Sequence, residues 1–430
     1  MNIVITGGRV IDPAHNEDQV RPIAIQDGSL LGSPIPRGFS ADVTLDAAGL
    51  IVSPGLIDLR ARLREPGLEH KATVASETRA ALAGGITTLC CPPDTTPPID
   101  TPAIAEWLRA RAEGALGARV LPIGALTRGL KGAHLADMHA LHEAGCAGVG
   151  NAGMGVSDTG VMRHALAYAA GLDLLVFLTP EDPWLGERGV MHEGLVSTRL
   201  GLPGVPTSAE TIAISRDLIL VEETGVRAHF CGLSTAAGAA LIADAKRRGL
   251  PVTADCAIHQ LHLSEDDIGF FDSEYRVRPP LRTRADRDAL REAFAEGTID
   301  ALCSDHQPHE ADAKKAPFSD AEPGIAGLET LLPLALRLTE AGVPLARALA
   351  GLTSGPGGIL RLLAGGLVPG QPADLCLFDP AAPWVPGPDT LKTQGRNSPF
   401  CGAPMRGRVV ATIKDGRIAY RAAWARETPV

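Results

Sequence analysis

The residues with the most chemical potential gather near position 305. The string Ser304-Asp305-His306-Gln307-Pro308-His309 sets a carboxylate beside two imidazoles, a set that can hold a divalent metal or move protons. His259 and His262 also have a spacing seen in metal motifs, but their place at the exit of an apolar run favours an ordinary loop pair. His229 lies inside an apolar run and reads as a core histidine with its nitrogens satisfied. None of the eight cysteines forms a C-x-x-C pair, so a structural zinc site is not expected. Most of them sit in strand-like apolar runs, as buried free thiols do in a reducing compartment. The run Gly148-Val149-Gly150-Asn151-Ala152-Gly153 is not followed by Gly-Lys-Ser/Thr, so it reads as tight packing and a turn, not a phosphate loop.

The elements that must position these residues follow from periodicity. Residues 1–50 read as short strands and turns, with strands at 2–5 and 21–25. From residue 51 apolar runs alternate with helical segments. The spacing predicts strands over 51–59, 86–91, 119–123, 147–150, 174–178, 228–233, 252–256 and 301–304. It predicts helices over 71–82, 101–112, 159–170, 208–223, 236–248 and 284–295. Eight strands alternating with helices place the chain in the α/β class and favour a closed (β/α)8 TIM barrel. Strand character returns at 373–378, 409–413 and 417–420, with Asp415-Gly416 as a hairpin turn. The expected domains are a barrel over 53–364 and a small composite β-sandwich built from both termini, 1–52 and 365–430. The polar stretch 310–323 is expected to be a mobile loop after the eighth strand.

Composition narrows the function classes. A chain of 430 residues that is 45% hydrophobic can bury a large core. The net charge of −10 and the lack of a basic stripe argue against nucleic acid as a partner. No apolar run reaches the length of a membrane span, and the first residues lack the features of a signal peptide, so a cytoplasmic location without membrane contact is expected.

Several strings share one family pattern, in order and over nearly the whole chain. They are Pro54-Gly55-Leu56-Ile57-Asp58, Leu63-Arg64-Glu65-Pro66-Gly67, Gly84-Gly85-Ile86-Thr87-Thr88, Arg199-Leu200-Gly201-Leu202-Pro203-Gly204, Pro279-Pro280-Leu281-Arg282, Ser304 to His309, and Arg396-Asn397-Ser398-Pro399-Phe400. Together they resemble class I dihydroorotases of the amidohydrolase superfamily. The resemblance implies a (β/α)8 barrel with a composite β-domain, and zinc-dependent ring closure of carbamoyl aspartate to dihydroorotate. In such chemistry zinc lowers the pKa of a bound water to about 7 and polarises the amide carbonyl.

The ligand positions implied by the resemblance are mostly changed. The His-x-His after strand 1 stands here as Arg60-Ala61-Arg62. A guanidinium has no lone pair to give and adds positive charge where a cation belongs. The carboxylate or carboxylated lysine after strand 4 falls on Asn151 and Ala152, the strand 5 histidine on Thr179, and the strand 6 histidine on Gly232. Only the strand 8 aspartate remains, as Asp305, so five of six positions lack a metal-binding side chain. Arg60 and Arg62 are expected to fill the old cavity and pair with Asp305, Asp58 or Asp94, since buried charges need partners.

Among positions the resemblance assigns to substrate, Arg64 remains and His309 is retained. Two asparagines stand as Asp94 and Arg278. Asp94 would repel a dianionic substrate. The pattern is most like a non-catalytic dihydroorotase-like subunit that partners the catalytic chain of aspartate carbamoyltransferase, as a homodimer within a hetero-oligomer, with no cofactor expected. One alternative is a remodelled cyclic amidohydrolase with a reduced metal site on Asp305, His306 and His309. Another is a sensor that keeps Arg64 to bind an anionic pyrimidine precursor.

Overall fold

The computed structural model describes residues 1–424, so residues 425–430 of the expected β-domain stretch lie outside the described residues. Eight parallel strands neighbour one another in chain order: β1 Leu56–Asp58, β2 Ile86–Cys91, β3 Arg119–Ala125, β4 Gly148–Gly150, β5 Leu175–Leu178, β6 Arg227–Phe230, β7 Val252–Ala257 and β8 Ala301–Cys303. The ring closes just beyond the first and last of these. Ala61 bridges His306 in parallel, with His306 N–H donating to Arg60 O at 3.1 Å and Arg62 N–H to His306 O at 2.9 Å. Beneath that seam, Ser304 donates to the buried Asp58 carboxylate from its backbone N–H at 3.1 Å and from its hydroxyl. Burial pushes the Asp58 carboxyl up to about 6 against the pull of these donors. The seam of the barrel is therefore also the stretch that carries Arg60, Arg62 and Asp305.

The six expected helices form at Val74–Ala83, Pro102–Gly114, Thr159–Gly171, Thr207–Thr224, Ala236–Arg247 and Arg284–Ala295. Their starts are set by local chemistry. Thr73, Asp158, Thr235 and Thr283 each accept a backbone N–H of the first turn through a side-chain oxygen. Additional short elements lie outside the expected pattern: a helix at Met138–Glu143, and a two-stranded ladder of Met191–His192 with Gly204–Val205 that flanks the helix Leu195–Leu200. Runs of two to six residues carry too little periodicity to stand out.

Two further sheets lie outside the barrel. A four-stranded sheet orders Ser29–Leu30, Ile23–Gln26, Ile3–Thr6 and Val43–Asp46. A six-stranded sheet runs Arg417–Arg421, Met405–Lys414, Leu375–Trp384, Ile51–Pro54, Arg9–Asp12 and Glu17–Val20, mixing strands from both ends of the chain. Ile3, Ile5, Ile25 and Leu45 pack against Val10, Val52, Leu375 and Ile413 between them.

The apolar run 51–59 departs from expectation. It is not one strand but two, Ile51–Pro54 in the six-stranded sheet and Leu56–Asp58 in the barrel. The break falls at Gly55, where a Cβ would lie 2.3 Å from Thr87 Oγ1.

The stretch 310–323 is strand-free, as expected, but it is anchored. It contains a 3-10 turn at Ala311–Lys314, Phe318 is buried beside Met191 and Ile268, and Lys314 Nζ donates to Arg276 O at 3.1 Å. Among the described residues no helix is long and apolar enough to cross a membrane.

Candidate functional site: an arginine-filled barrel mouth

β1 and β8 deliver Arg60, Arg62 and Asp305 to one point at the C-terminal mouth. Arg60 Nε lies 2.9 Å from Asp305 Oδ1, and Arg62 Nη1 lies 3.3 Å from the same oxygen. Arg62 Nε also donates to Asp94 Oδ2 at 2.6 Å, and Gln307 Nε2 donates to both Asp305 oxygens at 3.2 Å. Two cations and two carboxylates thus neutralise one another in a largely buried cluster. Of the three expected carboxylate partners, Asp58 is not used by either side chain. From these two arginines it accepts only the Arg60 backbone N–H, at 3.2 Å, because the Ser304 N–H and hydroxyl hold it below the seam. Burial opposes the charge on Arg60, but Asp305 keeps its pKa above the ordinary guanidinium value.

Gly232, just past β6, explains how Arg60 fits. A Cβ at Gly232 would lie 2.5 and 2.7 Å from the two terminal nitrogens of Arg60. The guanidinium head therefore occupies space next to the backbone that a side chain at 232 would need. The contact is still imperfect. Arg60 Nε does not point along a hydrogen-bond direction to Asp305, and Nε and Nη2 are buried with no hydrogen-bond partner.

Asn151 does not face the centre. Its Oδ1 accepts from Thr127 Oγ1 at 2.8 Å, and its Nδ2 donates to Leu130 O at 3.2 Å and Met154 O at 2.8 Å, so it ties two mouth loops together. Ala152 and Thr179 line the central cavity. Arg278 reaches Glu181 with two nitrogens, the Nε bond being 3.0 Å. Arg64 donates to Pro308 O at 3.0 Å, and its Nη2 lies 3.0 Å from His309 Nε2; burial and the nearby Arg62 lower its pKa to about 10. His309 also meets Lys71 Nζ at 3.2 Å and Pro323 O at 3.1 Å. Burial, Arg64 and Lys71 pull its pKa down to about 3, so the ring is neutral at pH 7.

Asp305, His306 and His309 are not among the groups of described residues whose ligand atoms all lie within 4.8 Å of one another. His306 is fully buried and turns to Glu77, with Nε2 2.8 Å from Oε2, while its Nδ1 accepts from Gly327 N–H at 3.1 Å. His259 and His262 also part company. His262 Nε2 meets Leu334 O at 2.9 Å, whereas both ring nitrogens of buried His259 lack a partner. His229 is satisfied as expected, by Thr253 Oγ1 at 2.9 Å and Asp255 Oδ2 at 3.0 Å. His229, Cys231 and Asp255 form a compact group among the described residues, with ligand atoms within 4.8 Å. Both nitrogens of His229 are already engaged there.

The residues at the old ligand positions do not fit a zinc pair. Two are guanidinium groups, one amide is engaged by backbone, and one position has no side chain. The cavity that remains is about 120 Å³, below the ~300–1,000 Å³ of ordinary ligand clefts. A larger hollow of about 720 Å³ lies at the opposite end of the barrel. Arg347 there binds Phe294 O and Ile299 O, and Arg361 pairs with Asp173, so its cations are occupied.

The dihydro-orotase-like family matches residues 49–237. A Pseudomonas aeruginosa protein named "Dihydroorotase-like protein" is 51% identical over 422 residues, covering 98% of this chain and 100% of that one. The chain belongs to the dihydroorotase-like family. A Pseudomonas putida protein of the same name is 49% identical over 422 residues, covering 98% of this chain and 99% of the other. Among solved structures, L-hydantoinase (dihydropyrimidinase) from Arthrobacter aurescens superposes with a TM-score of 0.86 at 23% identity, covering 97% of this chain and 95% of that one. That likeness speaks for the barrel with its added β-domain in this dihydroorotase-like chain. Sequence alone could not disclose the partnership of Gly232 with Arg60, because it depends on a contact between β6 and β1. Nor could it disclose that Asn151 ties two mouth loops together, which loop geometry decides.

Proposed function

We propose that this dihydroorotase-like chain is a catalytically degenerate homologue that serves as a structural or regulatory subunit of aspartate carbamoyltransferase in de novo pyrimidine biosynthesis. The observation that carries this reading is the Arg60–Asp305–Arg62–Asp94 network in the place of a metal centre. Without a metal-activated water, a lone carboxylate acting as base contributes only about 10²–10⁴-fold, and Asp305 is itself tied up by two arginines and Gln307. A chain that keeps its scaffold while its mouth is filled has its outer surface left for function. Trp184, Leu195 and Phe270 are exposed in the segments that follow β5 and β7, a composition suited to contact with a protein partner. On this reading the chain forms a homodimer within a hetero-oligomer and works in the cytoplasm.

Co-expression with the catalytic chain of aspartate carbamoyltransferase tests the reading. The two chains should co-purify in fixed stoichiometry, and removing this chain should change the size of the transferase assembly. Independent elution, with transferase assembly and activity unchanged, would refute it.

A further inference from the structure

The helix Thr207–Thr224 is apolar on two sides. One side faces the barrel through Ala209, Ala213, Ile214, Leu218 and Val221, all buried. The other carries Ile212 and Ile219, which are 49% and 66% exposed. A helix that is apolar on both sides is one that is covered on both. The exposed positions Ser208, Ile212, Ser215, Ile219 and Glu222 recur every three or four residues, the repeat of a helix-to-helix contact. Between Ser208 and Ile219 no exposed side chain is charged, since Arg216 is half-buried and turned to Asp217 and to Val156 O. Charge begins at the C-terminal end, where Glu222 and Glu223 pair with Arg248 and Arg163. The flanking helices Thr159–Gly171 and Ala236–Arg247 add exposed Ala167, Tyr168, Ala237 and Ala240.

We propose that a second copy of this chain docks on this three-helix face, with Thr207–Thr224 running antiparallel to its counterpart across a twofold axis. The stripe suits its own copy. Its midpoint falls beside Ser215, so a twofold there sets Ile212 of each chain on Ile219 of the other and leaves two small serines at the crossing. Acidic residues at a helix C-terminus oppose the helix dipole, and antiparallel pairing brings Glu222 and Glu223 beside the N-terminus of the other copy, where the dipole favours them. The area is also adequate. An 18-residue helix is about 27 Å long, and three helices at the usual ~8–10 Å spacing give a face of about 700 Å², close to the ~800 Å² per partner of a stable interface. This names the surface for the self-association included in the proposed reading, and it holds with or without a transferase partner.

The test is light scattering and sedimentation of the purified full chain, which should be a dimer at micromolar concentration. Ile212→Glu combined with Ile219→Glu should weaken self-association about a hundredfold or more, because each change counts twice across a twofold. Ser215→Cys in a Cys401→Ser background should give a disulfide-linked dimer on mild oxidation. Leu116→Cys in the same background, on an exposed turn beyond the helix Pro102–Gly114, should not. The Ser215→Cys cross-link decides if the glutamate variant does not fold. A monomeric unsubstituted chain, a dimer that survives both glutamates, or no cross-link through Ser215→Cys would each overturn the inference. A monomer that joins the transferase chain through Ile212 and Ile219 would give the face to the transferase and also overturn it. A dimer that the glutamates dissociate, in a chain that never co-purifies with the transferase, would support this interface while removing the transferase reading.

Discussion

At Gly232 an added Cβ meets both terminal nitrogens of Arg60, so a histidine at 232 and an arginine at 60 exclude each other in this arrangement. Gly232 also holds φ at +68°, a conformation that disfavours any other side chain. Gly232→His is therefore expected to destabilise the fold by about 1–3 kcal/mol through overpacking alone. Pairing it with Arg60→His should return part of that loss, with a coupling of about 0.5–3 kcal/mol in a denaturant double-mutant cycle. Additive effects would show that the two positions do not compete for space. His309 makes a separate prediction. Its pKa of about 3 lies below the unfolded value near 6.5, so the folded state takes up fewer protons in between. Its contribution to stability is therefore intact above about pH 6.5 and is lost as pH falls toward 3. In NMR the His309 ring should remain neutral at pH 5; a titration midpoint near 6.5 would contradict the buried contact with Arg64 and Lys71.

At the level of elements, one run of sequence serves two sheets, as Ile51–Pro54 and Leu56–Asp58. Residues 51–59 read as one largely apolar run, and the Pro54-Gly55 pair inside it is the break signal that coincides with the change of sheet. The division is made at Gly55, by the approach of Thr87 on β2. Gly55→Ala should cost about 1–3 kcal/mol and lower the unfolding midpoint; an unchanged midpoint would mean that the crossover tolerates a side chain. The barrel strands and the six longer helices were legible because a fully buried strand reads as an unbroken apolar run and each amphipathic helix repeats its pattern over several turns. The short ladder at Met191–His192 and the anchored loop 310–323 were not, because their positions depend on distant partners such as Ile268 and Arg276. At the site, the identity of each altered ligand was readable from the linear string. The choice of Asp94 over Asp58 as the second partner was not, since it depends on Ser304 capturing Asp58 across the seam.

For the whole molecule, the proposed reading is of a barrel that keeps its framework while Arg60, Arg62, Asp94 and Asp305 neutralise one another at its mouth. A buried ion-pair cluster is weak as a source of stability but strongly resists removal of a single partner, which fits a mouth that is structural. The exposed side chains of Trp184, Leu195 and Phe270, in the segments after β5 and β7, then become the surface of interest. The most direct measurement is dihydroorotate hydrolysis, and its reverse, by the purified full chain with zinc added, together with the bound zinc counted after dialysis. The expected result is no turnover above a protein-free blank and far less than one zinc per chain. Turnover that Asp305→Ala abolishes, accompanied by about one zinc per chain, would contradict the arginine-filled centre as the reason this protein exists in its present form.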